Sequence, residues 1–93
     1  MPTYHTYVLL SKKDGHFYIG LTSSLDRRLY QHNMGKVRSA RARRPFKLFY
    51  CEEYQNKTDA RKREIFLKSG QGRLFLKRKL NDSENGKKSV ESL

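Results

Sequence analysis

An Asp-Gly dipeptide, Asp14-Gly15, separates two short runs of residues that favour β-strands. The first run, Thr3 to Ser11, is rich in aromatic, β-branched and aliphatic side chains, and the second, Phe17 to Leu21, alternates between two faces. Asp-Gly between two such runs strongly favours a β-hairpin. This hairpin constrains the fold more than any other feature, because it commits the first quarter of the chain to an antiparallel sheet.

The length of the turn decides which side chains of the hairpin are neighbours. If the turn is residues 12–15, Leu9 lies opposite Tyr18, and Tyr7 and Tyr18 share a face as diagonal neighbours. A change of one residue in the loop would reverse this arrangement. The four-residue turn therefore predicts two phenols on one face, although tyrosines on strands are more often ordinary packing residues.

Beyond the hairpin, apolar periodicity, caps and glycines predict one further strand and three helices. In order, these are a helix from Ser23 or Ser24 to Gly35, a strand over Phe46–Tyr54, a helix from Asn56 or Thr58 to Lys68 that is closed by a left-handed Gly70, and a short helix over Arg73–Leu80. The order β-β-α-β-α-α predicts an α+β domain in which helices flank a small three-stranded antiparallel sheet. We assign residues 1–81 to this domain and 82–93 to a polar, disordered tail.

Positive charge is concentrated in the second half of the chain. The 93 residues carry a net charge of +12, and residues 36–80 hold fifteen basic and four acidic side chains. The run Lys36–Arg44 has little apolar content, so we expect it to lie in solvent or against a polyanion. Solubility alone could explain such a run, but local clustering favours nucleic acid as the partner. The expected contacts are Lys36, Arg38, Arg41, Arg43, Arg44 and Lys47.

Other classes of protein are disfavoured by composition. The single cysteine, Cys51, excludes an intramolecular disulfide and a cysteine-based zinc site. No apolar run approaches the roughly 18 residues of a membrane span, and the N-terminus does not resemble a signal peptide. We therefore expect a cytoplasmic protein with no membrane partner. We also expect a monomer without a small-molecule cofactor.

The first predicted helix places two polar side chains beside its apolar stripe. Arg28 and His32 lie four residues apart and flank Leu25 and Leu29, whereas Arg27 faces away. A guanidinium suits phosphate oxygens, and an imidazole can donate to phosphate or relay a proton. The ordinary alternative is an arginine whose stem packs while its head stays in water, and spacing alone favours that alternative.

The second predicted helix places Glu64 on the stripe that Ala60 and Leu67 would bury. Because an unpaired buried charge is costly, the carboxylate needs a partner. It could pair with Arg61 or Lys68, bind Mg²⁺ or Mn²⁺, or act as a general base. Spacing alone favours the ion pair, since helices contain many such pairs.

Together these groups are more informative than any one of them. Two phenols, a guanidinium, an imidazole and a carboxylate are all predicted to face the core of a basic domain. Phosphodiester hydrolysis needs a deprotonated water and cations that stabilise added charge, and one divalent metal can serve as both Lewis acid and template. The sequence lacks a Walker loop, a Ser-His-Asp arrangement and the paired acidic clusters of two-metal sites.

The segment from Tyr18-Ile19-Gly20 to His32 resembles the core of the GIY-YIG nuclease domain. From about Tyr4 to Leu80, the chain resembles the small stand-alone bacterial members of that superfamily. The first motif is His5-Thr6-Tyr7 where the family has Gly-Ile-Tyr, so only its tyrosine is retained.

The resemblance implies a role for each matching residue. A motif tyrosine, Tyr7 or Tyr18, would assist deprotonation of the attacking water, and Arg28 would steady the scissile phosphate. His32 matches a frequent histidine of the family, and Glu64 matches its metal-binding glutamate. The resemblance thus raises the metal interpretation of Glu64, with Mg²⁺ or Mn²⁺, above the ion pair.

The sequence therefore predicts a divalent-metal-dependent endonuclease that cuts DNA by a one-metal mechanism. Branched or damaged DNA in repair or recombination is the expected setting, and RNA is left open as a partner. The alternative is a catalytically silent nucleic-acid-binding module of the same fold. A third, weaker interpretation is a basic protein associated with RNA or the ribosome.

Overall fold

The structure is a computed structural model that describes the backbone of residues 3–92 and the side chains of residues 3–82. Over these residues the elements in chain order are β1 (Tyr4–Ser11), β2 (Phe17–Thr22), α1 (Leu25–Asn33), a 3₁₀ helix (Arg38–Arg43), β3 (Phe46–Tyr54), α2 (Lys57–Lys68) and α3 (Gly70–Ser92). The predicted α+β class and the order of strands and α-helices are confirmed. None of the helices described combines the length and apolar character that a membrane span requires.

The central strand of the sheet is β1, which pairs antiparallel with β2 on one side and β3 on the other. Leu9 pairs with Tyr18, and Tyr7 pairs with Gly20, so the register predicted from a four-residue turn is confirmed. Gly15 closes that turn with a φ of 74°, a conformation that favours glycine. Tyr7 and Tyr18 therefore lie on the same face of the sheet.

Helices cover both faces of the sheet. On one face, which we call the α1 face, α1 and the 3₁₀ helix pack on the sheet, and the buried residues there are Tyr7, Leu9, Ala40 and Phe46. On the other, the α2 face, α2 and α3 cover the buried residues Val8, Leu67 and Leu76. Because successive side chains of a strand point to opposite faces, the continuous buried run of β1 supplies both cores.

The basic segment is more ordered than the sequence predicts. Instead of lying wholly in solvent, it forms the 3₁₀ helix and buries Ala40 completely in the core of the α1 face. The expectation that this run buries nothing is therefore wrong at Ala40. The small methyl group can enter the core while the arginines on either side of it, Arg38, Arg41 and Arg43, keep contact with water.

The junction of α2 and α3 also differs from the prediction. Gly70 is not a left-handed cap: Ser69 ends α2 in an extended conformation, and Gly70 begins α3. The Ser69 hydroxyl donates to the carbonyl of Phe66 and accepts from the N–H of Gly72, so it links both helices.

The helical backbone of α3 continues to Ser92, whereas the sequence predicts a helix over Arg73–Leu80 followed by a disordered tail. The segment contains no proline, and extending an existing helix is far easier than nucleating one. Residue 93 lies outside the described residues. The division between a domain at 1–81 and a tail at 82–93 stays a prediction.

Candidate active site

A cleft of about 500 Å³ opens along the β2 edge of the sheet, between α1 and α2. Tyr7 and Tyr18 enter it from the sheet, Arg28 from α1 and Glu64 from α2. The fifth predicted site residue, His32, is fully buried beside Tyr7. The fold thus brings together all five side chains that the sequence predicts for the site.

The Tyr7 hydroxyl connects the groups on the α1 face. Arg28 Nε donates to it at 3.3 Å, and His32 Nε2 lies 3.3 Å from it. A guanidinium can only donate, so in the tautomer with a proton on Nδ1 the hydrogen bonds run from Arg28 through Tyr7 to His32. Arg28 Nη1 also donates to Gln31 Oε1 at 3.3 Å. These contacts hold the guanidinium at the cleft wall.

The protonation states of this group follow from burial. Burial, reinforced by the charge of Arg28, lowers the pKa of His32 to about 4. Burial also raises the pKa of Tyr7, although the hydrogen bond and charge of Arg28 oppose this effect. Near neutral pH the imidazole and the phenol are therefore both uncharged, and Arg28 supplies the positive charge among the three.

Gly20 provides the space that the Tyr7 hydroxyl occupies. A Cβ atom at residue 20 would come closer than 3.0 Å to the hydroxyl and ring carbons of Tyr7. Beside this pair, the ring of Tyr18 packs edge-on against His32 with centroids 4.6 Å apart. Within the described part of the chain the Tyr18 hydroxyl makes no hydrogen bond, so it is available to a ligand in the cleft.

Glu64 reaches the cleft from α2 and is only 9% exposed. Its Oε2 accepts from Lys68 Nζ at 3.0 Å, which is the ion pair that helical spacing favours. Arg61 Nε lies 4.0 Å from Oε1, too far for a hydrogen bond. Oε1 is buried and has no hydrogen-bond partner among the described residues. One oxygen of this carboxylate is therefore paired, and the other is suited to a further cation.

A hard divalent cation fits that oxygen, because Mg²⁺ and Mn²⁺ prefer oxygen ligands. Within the residues that the structure describes, no group of three or more His, Cys, Asp or Glu side chains converges on a point. Among the described residues that line the cleft, Glu64 is the one carboxylate, so it would be the protein's carboxylate ligand there.

One side of α2 carries every charged residue that this helix contributes to the cleft. Lys57, Arg61, Glu64 and Lys68 all line it and recur at spacings of four, three and four, which place them on one helical face. Lys57 is missing from the sequence-based prediction, although this spacing was the signal that could have found it.

One hydrogen bond caps α2, and another joins α2 to the sheet. The Asn56 side chain caps the helix by accepting from the N–H of Asp59 at 2.8 Å. The buried Thr6 hydroxyl donates to the carbonyl of Ala60 at 2.6 Å. The bond to Ala60 thus joins α2 to β1 one helical turn before Glu64.

The six predicted nucleic-acid-binding residues lie outside the cleft wall. Arg43 is partly buried, with Nε 3.2 Å from Asp14 Oδ2 and Nη2 donating to the carbonyl of Phe17. Arg41 and Arg44 each donate to a backbone carbonyl, at 2.9 Å and 3.0 Å. Lys36, Arg38 and Lys47 are exposed. Their role in binding nucleic acid stays a prediction.

A second groove, of about 730 Å³, lies between the β1–β2 hairpin and α3, and we call it the hairpin groove. Its apolar lining includes Phe17, Leu76 and Leu80. Its cations are Arg43, Lys68, Arg73 and Lys77. Because the groove shares Tyr18, Ile19 and Lys68 with the cleft, the two depressions adjoin.

A family model, the GIY-YIG catalytic domain, matches residues 3–81. The chain therefore belongs to the GIY-YIG family, a nuclease superfamily whose members generally use divalent metals, and the resemblance found in the motifs is confirmed.

Within this family the chain is similar to UPF0213 proteins. It is 40% identical over 65 residues to one from Bacillus licheniformis, covering 69% of this chain and 67% of that protein. It is 43% identical over 61 residues to one from Streptococcus pneumoniae, covering 64% and 62%. The alignments thus span about two thirds of these relatives. The solution NMR structure of a UPF0213 protein from Bacillus halodurans superposes with a TM-score of 0.50 at 32% identity, covering 80% of this chain and 81% of that one.

Proposed function

We propose that this chain is a divalent-metal-dependent endonuclease that hydrolyses phosphodiester bonds in DNA by a one-metal mechanism. One observation carries the proposal: the buried Glu64 carboxylate, with an oxygen that lacks a hydrogen-bond partner among the described residues, shares a cleft with Arg28 and both motif tyrosines. Membership of the GIY-YIG family supports the same class of reaction.

Glu64 would hold Mg²⁺ or Mn²⁺ through Oε1, with water and substrate oxygens in the other ligand positions. When bound, the ion supplies a Lewis acid that polarises a phosphoryl oxygen and a template for the reacting groups.

Arg28 binds the scissile phosphate and stabilises the negative charge that grows in the transition state. Its guanidinium is already held by hydrogen bonds to Tyr7 and Gln31, so little reorganisation is needed when the substrate arrives. This preorganisation is the main contribution of the α1 face to the reaction.

The two tyrosines have different tasks in this proposal. The Tyr7 hydroxyl is engaged by Arg28 and His32, and its raised pKa keeps it protonated, so it acts as a positioning group. The Tyr18 hydroxyl makes no hydrogen bond within the described residues, so it orients the attacking water and assists its deprotonation. His32 stays neutral and keeps Tyr7 in place.

DNA would be held by the positive charge outside the cleft. The exposed cations of residues 36–47 would contact phosphates without sequence preference, and this binding should weaken steeply as salt increases. We propose a monomer that acts in the cytoplasm on DNA, including branched or damaged DNA, in repair or recombination, with RNA as a further candidate substrate.

The test is cleavage of supercoiled, linear and branched DNA in Mg²⁺ or Mn²⁺. Glu64→Gln and Arg28→Ala should each reduce cleavage by roughly 10²-fold or more while DNA binding persists. Arg27→Ala is the matched control, because this neighbouring arginine is exposed and lies outside the cleft wall. Equal residual cleavage in the parent and all variants would indicate a contaminant and refute the catalytic proposal. Binding without cleavage in the parent would support the silent module instead.

A further inference from the structure

Lys68 belongs to two depressions at once. Its Nζ lies 3.0 Å from Glu64 Oε2, yet its side chain is 55% exposed. It lines the cleft together with Glu64 and the hairpin groove together with Arg73 and Lys77. The position of Lys68 therefore links the candidate metal ligand to a second positively charged surface.

The charges around Glu64 oppose the entry of a free metal ion. Among the described residues that line the cleft, Glu64 is the sole carboxylate, whereas Arg28, Lys57, Arg61 and Lys68 are all cationic. Like charges this close repel one another, most strongly where water is partly excluded. Lys68 has the largest effect because its ammonium contacts the same carboxylate that would bind the metal.

The contact between Lys68 and Glu64 is well suited to being exchanged. A lysine that is more than half exposed has a flexible stem and a hydrated head, so it can leave one partner for another at little net cost. Arg61 is not placed for the same exchange of partners, because it lines the cleft but not the hairpin groove and its Nε is 4.0 Å from Glu64 Oε1.

We propose that Lys68 is a substrate-binding residue that the free protein holds against Glu64. A divalent ion at Glu64 displaces the ammonium, which then binds a phosphate of the nucleic acid where the cleft adjoins the hairpin groove. Arg73 and Lys77 continue the positive surface from that point along α3. The inference rests on the proposed function, because it takes Glu64 as the metal ligand.

This exchange predicts effects of opposite sign on two ligands. Removing the charge of Lys68 removes a competitor for Glu64, so metal binding becomes tighter. The same change removes a phosphate contact, so nucleic-acid binding becomes weaker. A purely structural ion pair behaves differently, because its loss would loosen Glu64 and weaken metal binding.

The experiment compares the full chain with Lys68→Met, which keeps the length of the stem. Mn²⁺ affinity is measured by calorimetry without DNA, and the affinity for a short DNA duplex is measured by fluorescence anisotropy in Ca²⁺ at several salt concentrations. We expect Mn²⁺ to bind roughly 3–10-fold tighter, since one neighbouring charge is removed. We expect DNA to bind roughly 3–10-fold more weakly, with a salt slope smaller by about one.

Lys62→Met is the matched control, because Lys62 is exposed on the same helix and lines neither depression. It should leave Mn²⁺ affinity unchanged. If Lys68→Met leaves the Glu64-dependent binding of Mn²⁺ unchanged or weakens it, this inference alone is wrong. If Mn²⁺ binds the parent and Glu64→Gln equally, or binds neither, both the inference and the proposed function are wrong.

Discussion

The two faces of the sheet are stabilised by different chemistry. The buried residues of the α2 face are mostly apolar: Val8, Leu67 and Leu76 are completely inaccessible, and the hydroxyl of Thr6 is buried with them. On the α1 face, the buried residues Tyr7 and His32 are polar and are joined by a hydrogen bond. The α2 face thus has one buried side-chain hydrogen bond, from Thr6 to the Ala60 carbonyl, whereas on the α1 face hydrogen bonds join the side chains of Arg28, Tyr7 and His32.

Because of this difference, the two faces contribute differently to the stability of the fold and to the orientation of side chains. Burial of apolar surface stabilises a fold in proportion to area but does not fix the direction of any one group. Hydrogen bonds among buried side chains fix directions and are costly to disrupt, and those of the α1 face do so although His32 Nδ1 has no partner among the described residues. We infer that the apolar cluster of the α2 face contributes mainly to stability, while the hydrogen bonds of the α1 face also orient Arg28 in the cleft.

Truncating the apolar cluster should have the largest effect on stability. Leu76 is completely buried, so Leu76→Ala should lower the free energy of unfolding by roughly 2–5 kcal/mol in urea titrations. Leu74→Ala, on the same helix but 55% exposed, should change it by no more than about 0.5 kcal/mol. Equal losses in the two variants would show that burial of Leu76 on the α2 face does not stabilise the fold.

The buried imidazole should make the stability of the α1 face depend on pH. Because the pKa of His32 falls from 6.5 to about 4 on folding, the unfolded chain binds a proton that the folded protein does not. The free energy of unfolding should be unaffected by this group above pH 6.5 and should fall as the pH drops towards 4, by up to roughly 3 kcal/mol.

Urea titrations across that pH range, on the parent and on His32→Gln, measure this dependence. The carboxylates titrate in both proteins, so the difference between the two curves isolates the imidazole. If the curves stay parallel between pH 6.5 and 4, burial of neutral His32 is not a feature of the α1 face.

Gly20→Ala tests whether the network tolerates a shift of Tyr7. The added methyl group meets the ring and hydroxyl of Tyr7, so we expect a loss of roughly 1–3 kcal/mol in the free energy of unfolding. The control is Gly70→Ala, since a Cβ atom at Gly70 meets nothing within 4 Å. A Gly20 variant as stable as the Gly70 variant would mean that Tyr7 can move freely, contrary to a face held by directional contacts.

The sequence predicts those features of the fold that depend on neighbouring residues. Asp14-Gly15 fixes the turn, and the turn fixes the register that places Tyr7 beside Gly20. Helical spacing alone likewise predicts that Arg28 and Glu64 face inward, without reference to the tertiary structure. In each case the determining residues are adjacent or one helical turn apart.

Features that join distant parts of the chain could not be predicted in this way. The hydrogen bond from Arg28 to Tyr7 spans 21 residues, and the ion pair between Arg43 and Asp14 spans 29. Both depend on how α1 and the 3₁₀ helix dock on the sheet. The prediction of a left-handed cap at Gly70 is wrong for a different reason. A glycine after a helix can end that helix or begin the next one, and only its backbone angles distinguish the two.

The first turns of α1 and α2 allow the most closely matched comparison of the two faces, although the expected effect on stability is the smallest. Asn56 caps α2 with a side-chain hydrogen bond, whereas Ser24 occupies the cap position of α1 without one. Asn56→Ala should therefore lower the free energy of unfolding by about 1 kcal/mol. Ser24→Ala should have almost no effect, because the Ser24 side chain makes no cap hydrogen bond and the backbone N–H that donates to the Thr22 hydroxyl is kept in the variant.

Urea titrations of both variants under one set of conditions test the contrast directly. A small effect of Ser24→Ala would mean that other contacts fix α1 against the sheet. These are the contacts of Arg28 and His32 with Tyr7 and the two hydrogen bonds between the Asn33 side chain and the Phe46 backbone. If Ser24→Ala is as costly as Asn56→Ala, α1 depends on its cap as α2 does. The hydrogen-bond network would then be a consequence of where α1 lies and not its cause.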